Sequence, residues 1–231
     1  MCIRDSAITA SKWIWCDNDS IKRWKRTEYF VDKSIDFIKR HKDSPFFLNL
    51  WPDDMHTPWV PSQKTMDSER TSWTTPPNFK EVLTEYDKQI GRLMEGLTKL
   101  GLEKNTIVIF TSDNGPAPSF QQMRTNSLLG VKCSLYEGGI RMPFAIHWPE
   151  KIKAGGINDS SIVCAVDLLP SLCALTGAKL PLDMELSGED MSRALLGEPQ
   201  IRKKDLMWDF GRNKALSLIH ISEPTRPLYI S

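Results

Sequence analysis

Asn105-Thr106-Ile107-Val108-Ile109-Phe110-Thr111-Ser112-Asp113-Asn114-Gly115 is the stretch that decides the fold class. Residues 106–111 are β-branched and apolar throughout, as expected of a strand covered on both faces. Polar Ser112-Asp113-Asn114-Gly115 follows at once, where open parallel sheets bind ligands, beyond the carboxyl ends of their strands. Just upstream, Leu83, Tyr86, Ile90, Leu93, Leu97 and Leu100 recur at spacings of 3, 4, 3, 4 and 3, and Gly101 stands at the C-cap. That period predicts a helix over 79–100. A helix over 27–42, striped by Val31, Ile35 and Ile38, precedes the strand-length apolar run Phe46-Phe47-Leu48-Asn49-Leu50-Trp51. Residues 52–78 carry five prolines and read as a long irregular loop. A second apolar strand is expected at 143–148, and a helix near 167–176, opened by Asp167 as N-cap and closed near Gly177. Strands alternating with helices argue for an α/β layered fold, a mostly parallel sheet flanked by helices.

The rest of the chain sets bounds. Its 231 residues allow one or two domains. With 40% hydrophobic and 26% charged residues it is neither fibrous, collagen-like nor wholly disordered. Thirty basic against 29 acidic residues give a net charge of +1, so no long-range field selects nucleic acid or an anionic membrane. No apolar run approaches the ~18 residues of a membrane span. Five cysteines without a C-x-x-C pair indicate neither a zinc knuckle nor a dense disulfide framework.

Both ends stand apart from this pattern. Met1-Cys2-Ile3-Arg4-Asp5-Ser6 can be written ATG TGT ATA AGA GAC AGY. The reverse complement, read one base in, translates as Leu-Ser-Leu-Ile-His, the sequence of 216–220. One DNA segment in opposite orientations can therefore encode both ends, and it resembles a transposon-end sequencing adapter. Residues 1–6 and 216–231 are read as adapter-derived, and 7–215 as the biological part.

Three constellations carry chemistry. Asp113 and Asn114 place a carboxylate beside a carboxamide, hard oxygen ligands of the kind Ca²⁺ or Mg²⁺ prefers; a tight Asp-Asn-Gly turn accounts for the same tetrapeptide. Lys132 lies in a glycine-rich run, Leu129-Gly130-Val131-Lys132 through Gly138-Gly139, where backbone can approach an anionic ligand closely; a solvated lysine is the plainer alternative. His56, in Trp51-Pro52-Asp53-Asp54-Met55-His56-Thr57-Pro58, can donate to an oxyanion or carry a proton, or serve as an ordinary loop histidine. Asp53 and Asp54 read as loop-ordering or capping carboxylates rather than a metal pair.

Taken together and in this order, these stretches resemble the type I sulfatases of the alkaline-phosphatase-like superfamily. The matching words are Ser44-Pro45-Phe46-Phe47-Leu48, His56-Thr57-Pro58, Asn105 through Pro116, Lys132, Tyr136 through Pro143, Trp148-Pro149, Asp167 through Leu172 and Thr176-Gly177-Ala178. The wording around Trp51-Pro52-Asp53-Asp54 is closest to the bacterial arylsulfatase and N-acetylgalactosamine-6-sulfatase-like branch. The resemblance implies an incomplete alkaline-phosphatase-like domain and hydrolysis of a sulfate ester on a carbohydrate or aryl group. It implies Ca²⁺, with Mg²⁺ as substitute, held in part by Asp113 and Asn114; His56 and Lys132 as catalytic and substrate-binding groups at the sulfate; and a periplasmic or secreted location. Two residues depart from the family pattern: Met55 stands where Pro is common, and Val131 where Gly is common. A larger departure concerns the nucleophile, a formylglycine made in a C/S-x-P/A-x-R motif. None of Cys2, Cys16, Cys133, Cys164 or Cys173 has Pro or Ala two residues on and Arg four residues on, so the formylglycine is expected to lie outside this chain. The family's earlier Asp-Asp pair and Lys-x-His segment are expected there too, leaving a fragment that is inactive alone and binds Ca²⁺ poorly. A phosphodiesterase or phosphonate monoester hydrolase of the same superfamily, and a non-catalytic carbohydrate-binding or structural protein, are the competing readings.

Overall fold

The computed structural model describes residues 21–69, 73–180, 183, 185–211, 213–217 and 228–229. The chain divides after Thr106 into two compact units.

The first unit is built on α1 (Arg26–Arg40), the short α2 (Gln63–Met66) and α3 (Pro76–Lys99). On α1 the residues Thr27, Val31, Ser34 and Ile38 are buried, at spacings of 4, 3 and 4. This face packs on α3, and the two helices come close where Gly96 meets Ile35: a Cβ on Gly96 would lie 3.2 Å from the isoleucine Cγ1. Asp32 and Arg92 join the same pair at 2.6 Å. The buried face of α3 is Val82, Gln89 and Leu97, whereas Leu83, first in the predicted stripe, is 42% exposed.

The 52–78 segment is irregular, as expected, but anchored. Trp59 is fully buried, donates its backbone N–H to the Trp73 carbonyl at 2.8 Å, and meets Phe79 edge-on at 5.0 Å. Helix α3 starts at Pro76, three residues before the predicted start. Proline at the first helical position lacks only an N–H that has no intrahelical acceptor, and the Thr75 hydroxyl accepts from the Asn78 N–H. Its far end follows the sequence reading, with Gly101 in the left-handed region at φ 72°.

The second unit holds β1 (Val108–Thr111), α4 (Glu137–Ile140), β2 (Phe144–His147), α5 (Leu168–Thr176), α6 (Ser192–Leu195), β3 (Leu206–Phe210), β4 (Asn213–Ser217) and β5 (Leu228–Tyr229). Here the mostly parallel sheet of the sequence reading is not what the described strands form. β1 pairs with β2 antiparallel, Val108 opposite His147 and Thr111 opposite Phe144, and β3-β4-β5 is a second antiparallel sheet. Phe46–Trp51, expected as a strand, takes no regular secondary structure, and Phe47 and Trp51 are 77% and 69% exposed. The cover expected on both faces of β1 is also incomplete: Phe110 is 43% exposed, because a two-stranded ribbon has too few neighbours to bury both sides.

Asp167 precedes α5, but its side chain does not cap that helix. It is buried, accepts from the backbone N–H groups of Cys164 (2.8 Å) and Glu189 (2.9 Å), and pairs with buried Arg202. The charge thus ties the 164–167 turn to the 186–204 segment. Gly177 closes α5 at φ 72°, as expected. Leu216 and Ser217, which open the segment read as adapter-derived, belong to β4, while residues 1–6 lie outside the described residues.

Candidate active site

In the first unit, a buried arginine arranges the loop that carries His56. Arg23, in the 3₁₀ turn before α1, is 5% exposed. Its guanidinium donates to Asp53 Oδ2 (3.0 Å) and to the carbonyls of Asp53 (3.0 Å), His56 (2.8 Å) and Pro58 (3.1 Å). Arg26 adds a second cation to Asp53 at 2.7 Å, and Asp54 accepts from the Thr27 N–H at 3.2 Å, at the start of α1. Asp53 and Asp54 therefore order the loop and cap the helix. His56 itself is exposed. Its Nδ1 lies 2.8 Å from the Thr57 carbonyl, which can only accept, so Nδ1 carries a proton. The Thr57-Pro58 peptide is cis.

Burial raises the Asp54 carboxyl above its ordinary pKa. The Asp53 charge pushes the same way, while the Thr27 donors and Arg23 oppose it. Tyr86 on α3 is raised as well, by burial first and by Asp54 second.

In the second unit, the Asp113 loop leaves the end of β1. Asp113 is exposed and Asn114 half-buried, and the Asn114 amide donates to the Asp113 carboxylate. The Ser112 hydroxyl donates to the Asn114 carbonyl at 3.1 Å. This loop is knitted to the glycine-rich run by two backbone hydrogen bonds, and a third closes the run on itself. Gly115 N–H donates to the Gly139 carbonyl (3.0 Å), Lys132 N–H to Pro116 (2.8 Å), and Gly138 N–H to Leu129 (2.7 Å). So the structure brings the backbone of Lys132 to within two residues of Asn114.

The glycines do a different job from the one their number suggested. A Cβ on Gly115 would lie 2.0 Å from the Gly138 carbonyl oxygen, and one on Gly139 would lie 2.1 Å from that of Ser134. Gly138 and Gly139 are buried. Their missing side chains let protein backbone approach protein backbone, which sets the Asp113 and Lys132 loops side by side.

Asp113 and Asn114 supply one carboxylate and one carboxamide oxygen, the right chemistry for a hard cation but too few ligands to complete a site. Among the described residues no group of three or more His, Cys, Asp or Glu could hold a metal ion. His56 belongs to the first unit, and Asp113, Asn114 and Lys132 belong to the second.

The sequence profile of the sulfatase family matches residues 8–178. This chain belongs to the sulfatase family. It is 31% identical over 196 residues to the N-acetylgalactosamine-6-O-sulfatase of Bacteroides thetaiotaomicron, covering 80% of this chain and 36% of that protein. It is 36% identical over 173 residues to human arylsulfatase A, covering 73% of this chain and 32% of the relative. Among solved structures, Ps i-CgsB in complex with k-i-k-neocarrahexaose superposes with a TM-score of 0.69 at 27% identity, over 83% of this chain and 44% of that one. The likeness carries the expected alkaline-phosphatase-like sulfatase fold. The chain spans about a third of the length of the curated relatives it matches.

Reasoning from sequence missed Arg23 altogether. No motif marks it, and its importance comes from four contacts across 30 to 35 residues of chain. The nucleophile motif also admits serine as its first residue. Ser222-Glu223-Pro224-Thr225-Arg226 fits S-x-P-x-R by spacing. It lies outside the described residues, inside the adapter-like 216–231 segment, and after the Asp113 loop rather than before it.

Proposed function

We propose that this chain is a part of a sulfuric ester hydrolase acting on sulfated carbohydrates or aryl sulfates. Residues 7–215 form a partial catalytic domain, and 1–6 and 216–231 are adapter-derived. The observation that carries the reading is the hydrogen-bonded knit of the Asp113 and Lys132 loops, inside the region that matches the sulfatase profile.

A transferring sulfuryl group spreads negative charge over its oxygens, so catalysis depends on positioned cations and donors. The Lys132 ammonium binds those oxygens. The His56 Nε2–H protonates the departing alkoxide, its ring oriented by the bond from Nδ1 to Thr57. Asp113 and Asn114 would hold Ca²⁺, or Mg²⁺, which supplies further charge neutralisation at the sulfate. The complete enzyme takes a sulfated glycan or small aryl sulfate and works in the periplasm or outside the cell. Among the described residues no helix is long and apolar enough to cross a membrane.

This chain alone is expected to turn over no sulfate ester. The test is to recover the flanking DNA, express the complete protein, and compare 4-nitrophenyl sulfate with phosphate mono- and diesters. Preferential sulfate-ester turnover, reduced about 100-fold in Lys132→Ala, supports the reading. Preferential phosphate-ester turnover, or glycan binding without hydrolysis, overturns it.

A further inference from the structure

His56 stands on a loop gripped by a side chain 33 positions away. Arg23, buried ahead of α1, supplies the grip. We infer that Arg23 is a positioning residue: it fixes the backbone from which the His56 imidazole is aimed, and so governs proton delivery to the leaving group. The inference takes its reaction from the sulfate-ester reading and its residue from the loop geometry.

That geometry differs from simple charge pairing. Arg23 Nη2 donates to the carbonyls of Asp53 (3.0 Å) and His56 (2.8 Å), and Nε donates to that of Pro58 (3.1 Å). The His56 and Pro58 carbonyls flank that of Thr57, and Thr57 is the acceptor for His56 Nδ1 at 2.8 Å. The bond that orients the exposed ring therefore ends on a residue whose two neighbours are held by one guanidinium. A planar fork can serve several carbonyls at fixed angles, whereas an ammonium is a point charge on a flexible stem. The carboxylate of Asp53 does not depend on Arg23 alone, because Arg26 pairs with the same oxygen at 2.7 Å. A change at Arg23 thus leaves Asp53 with a cation and falls on the three carbonyls.

The chemical consequence is selective. An acid that protonates the departing oxygen matters most when that oxygen leaves poorly. An acid aimed wrongly loses that contribution, while charge stabilisation at the sulfate stays in place.

The test uses the complete protein and two substrates. 4-Nitrophenyl sulfate releases a phenolate that leaves without a proton; a sulfated monosaccharide releases an alkoxide that needs one. Arg23→Lys keeps the charge and removes the fork. It should lower kcat on the sugar sulfate about tenfold with KM within about twofold, and lower kcat on 4-nitrophenyl sulfate less than about twofold. In a His56→Ala background the same change should cost less than about twofold on either substrate, since there is no ring left to aim. A second readout needs no turnover. In the 231-residue chain, nitrogen-15 NMR of the His56 ring should show the proton on Nδ1, and Arg23→Lys should move it largely to Nε2. Equal losses on the two substrates, losses that add to those of His56→Ala, or a ring signal identical in wild type and Arg23→Lys overturns the inference. Wild-type protein that cleaves no sulfate ester marks instead the failure of the sulfatase reading, and takes the catalytic role with it. A ring signal that still shifts in Arg23→Lys keeps the two failures apart.

Discussion

The His56 loop and the Asp113 loop are held by opposite means. Around His56, one buried guanidinium reaches four acceptors, and a second arginine shares the carboxylate of Asp53. Around Asp113, the fixing contacts are backbone to backbone, allowed by glycines whose Cβ positions are already filled by carbonyl oxygens. Charge can be mutated away, or titrated, and leaves the chain path sterically allowed. A glycine cradle tolerates no side chain at all. The loop that would protonate a leaving group thus rests on electrostatics, and the loop that would grip cation and sulfate rests on shape.

Four outcomes would break or sharpen this contrast. The largest effect belongs to Gly115→Ala. Its methyl would overlap the Gly138 carbonyl, and a destabilisation of about 3 kcal/mol or more in urea unfolding is expected. A loss below about 1 kcal/mol would show that the cradle yields, and the contrast would fail.

Next comes Arg23→Ala, expected to cost about 2 kcal/mol because several part-buried acceptors lose a charged donor together. Arg23→Lys should recover less than half of that, since an ammonium cannot span the fork of acceptors. Full recovery by lysine would reduce the clamp to simple charge.

Asp54→Asn should act more gently and in the stabilising direction. Burial raises the carboxyl in the fold above its unfolded value, so the native chain holds the proton more tightly. Native stability therefore falls as pH rises through the range above the ordinary Asp pKa, and the wild-type ionised group is a net cost near neutrality. The amide keeps an acceptor for Thr27 N–H and removes the charge, so melting temperature at pH 7 should rise and the pH slope should flatten. A variant less stable than wild type at pH 7 would contradict the burial argument.

The smallest effect is expected from calcium. Asp113 and Asn114 alone give a weak site, so millimolar Ca²⁺ should raise the melting temperature by no more than about 2 °C. A large Ca²⁺-dependent rise would mean that further oxygen ligands converge on the Asp113 loop.

Several parts of the fold were readable from the residues because their causes are local. The helical periods gave α1 and α3 to within a few residues, and Gly101 and Gly177 marked helix ends through their left-handed backbone. The adjacency of Asp113 and Asn114 at a strand end followed from their place after Thr111. Errors arose where a non-local partner decided. Prolines at 76 and 77 counted as loop residues until the Thr75 cap made them a helix start. Asp167 had the residue type of an N-cap, but Arg202, 35 positions away, claimed its carboxylate.

The sequence by itself determined which chemical groups are present: a hard-oxygen pair, an imidazole, an ammonium, and the order of words that places the chain in the sulfatase family. Only the tertiary structure decided what positions them. It selected Arg23 for the His56 loop and turned the glycines from ligand contacts into loop-to-loop contacts. It also made the described strands antiparallel. The physical reason is common to all three. Hydrogen-bond acceptors and free volume belong to whatever segments meet in space, and no local period encodes which segments those will be.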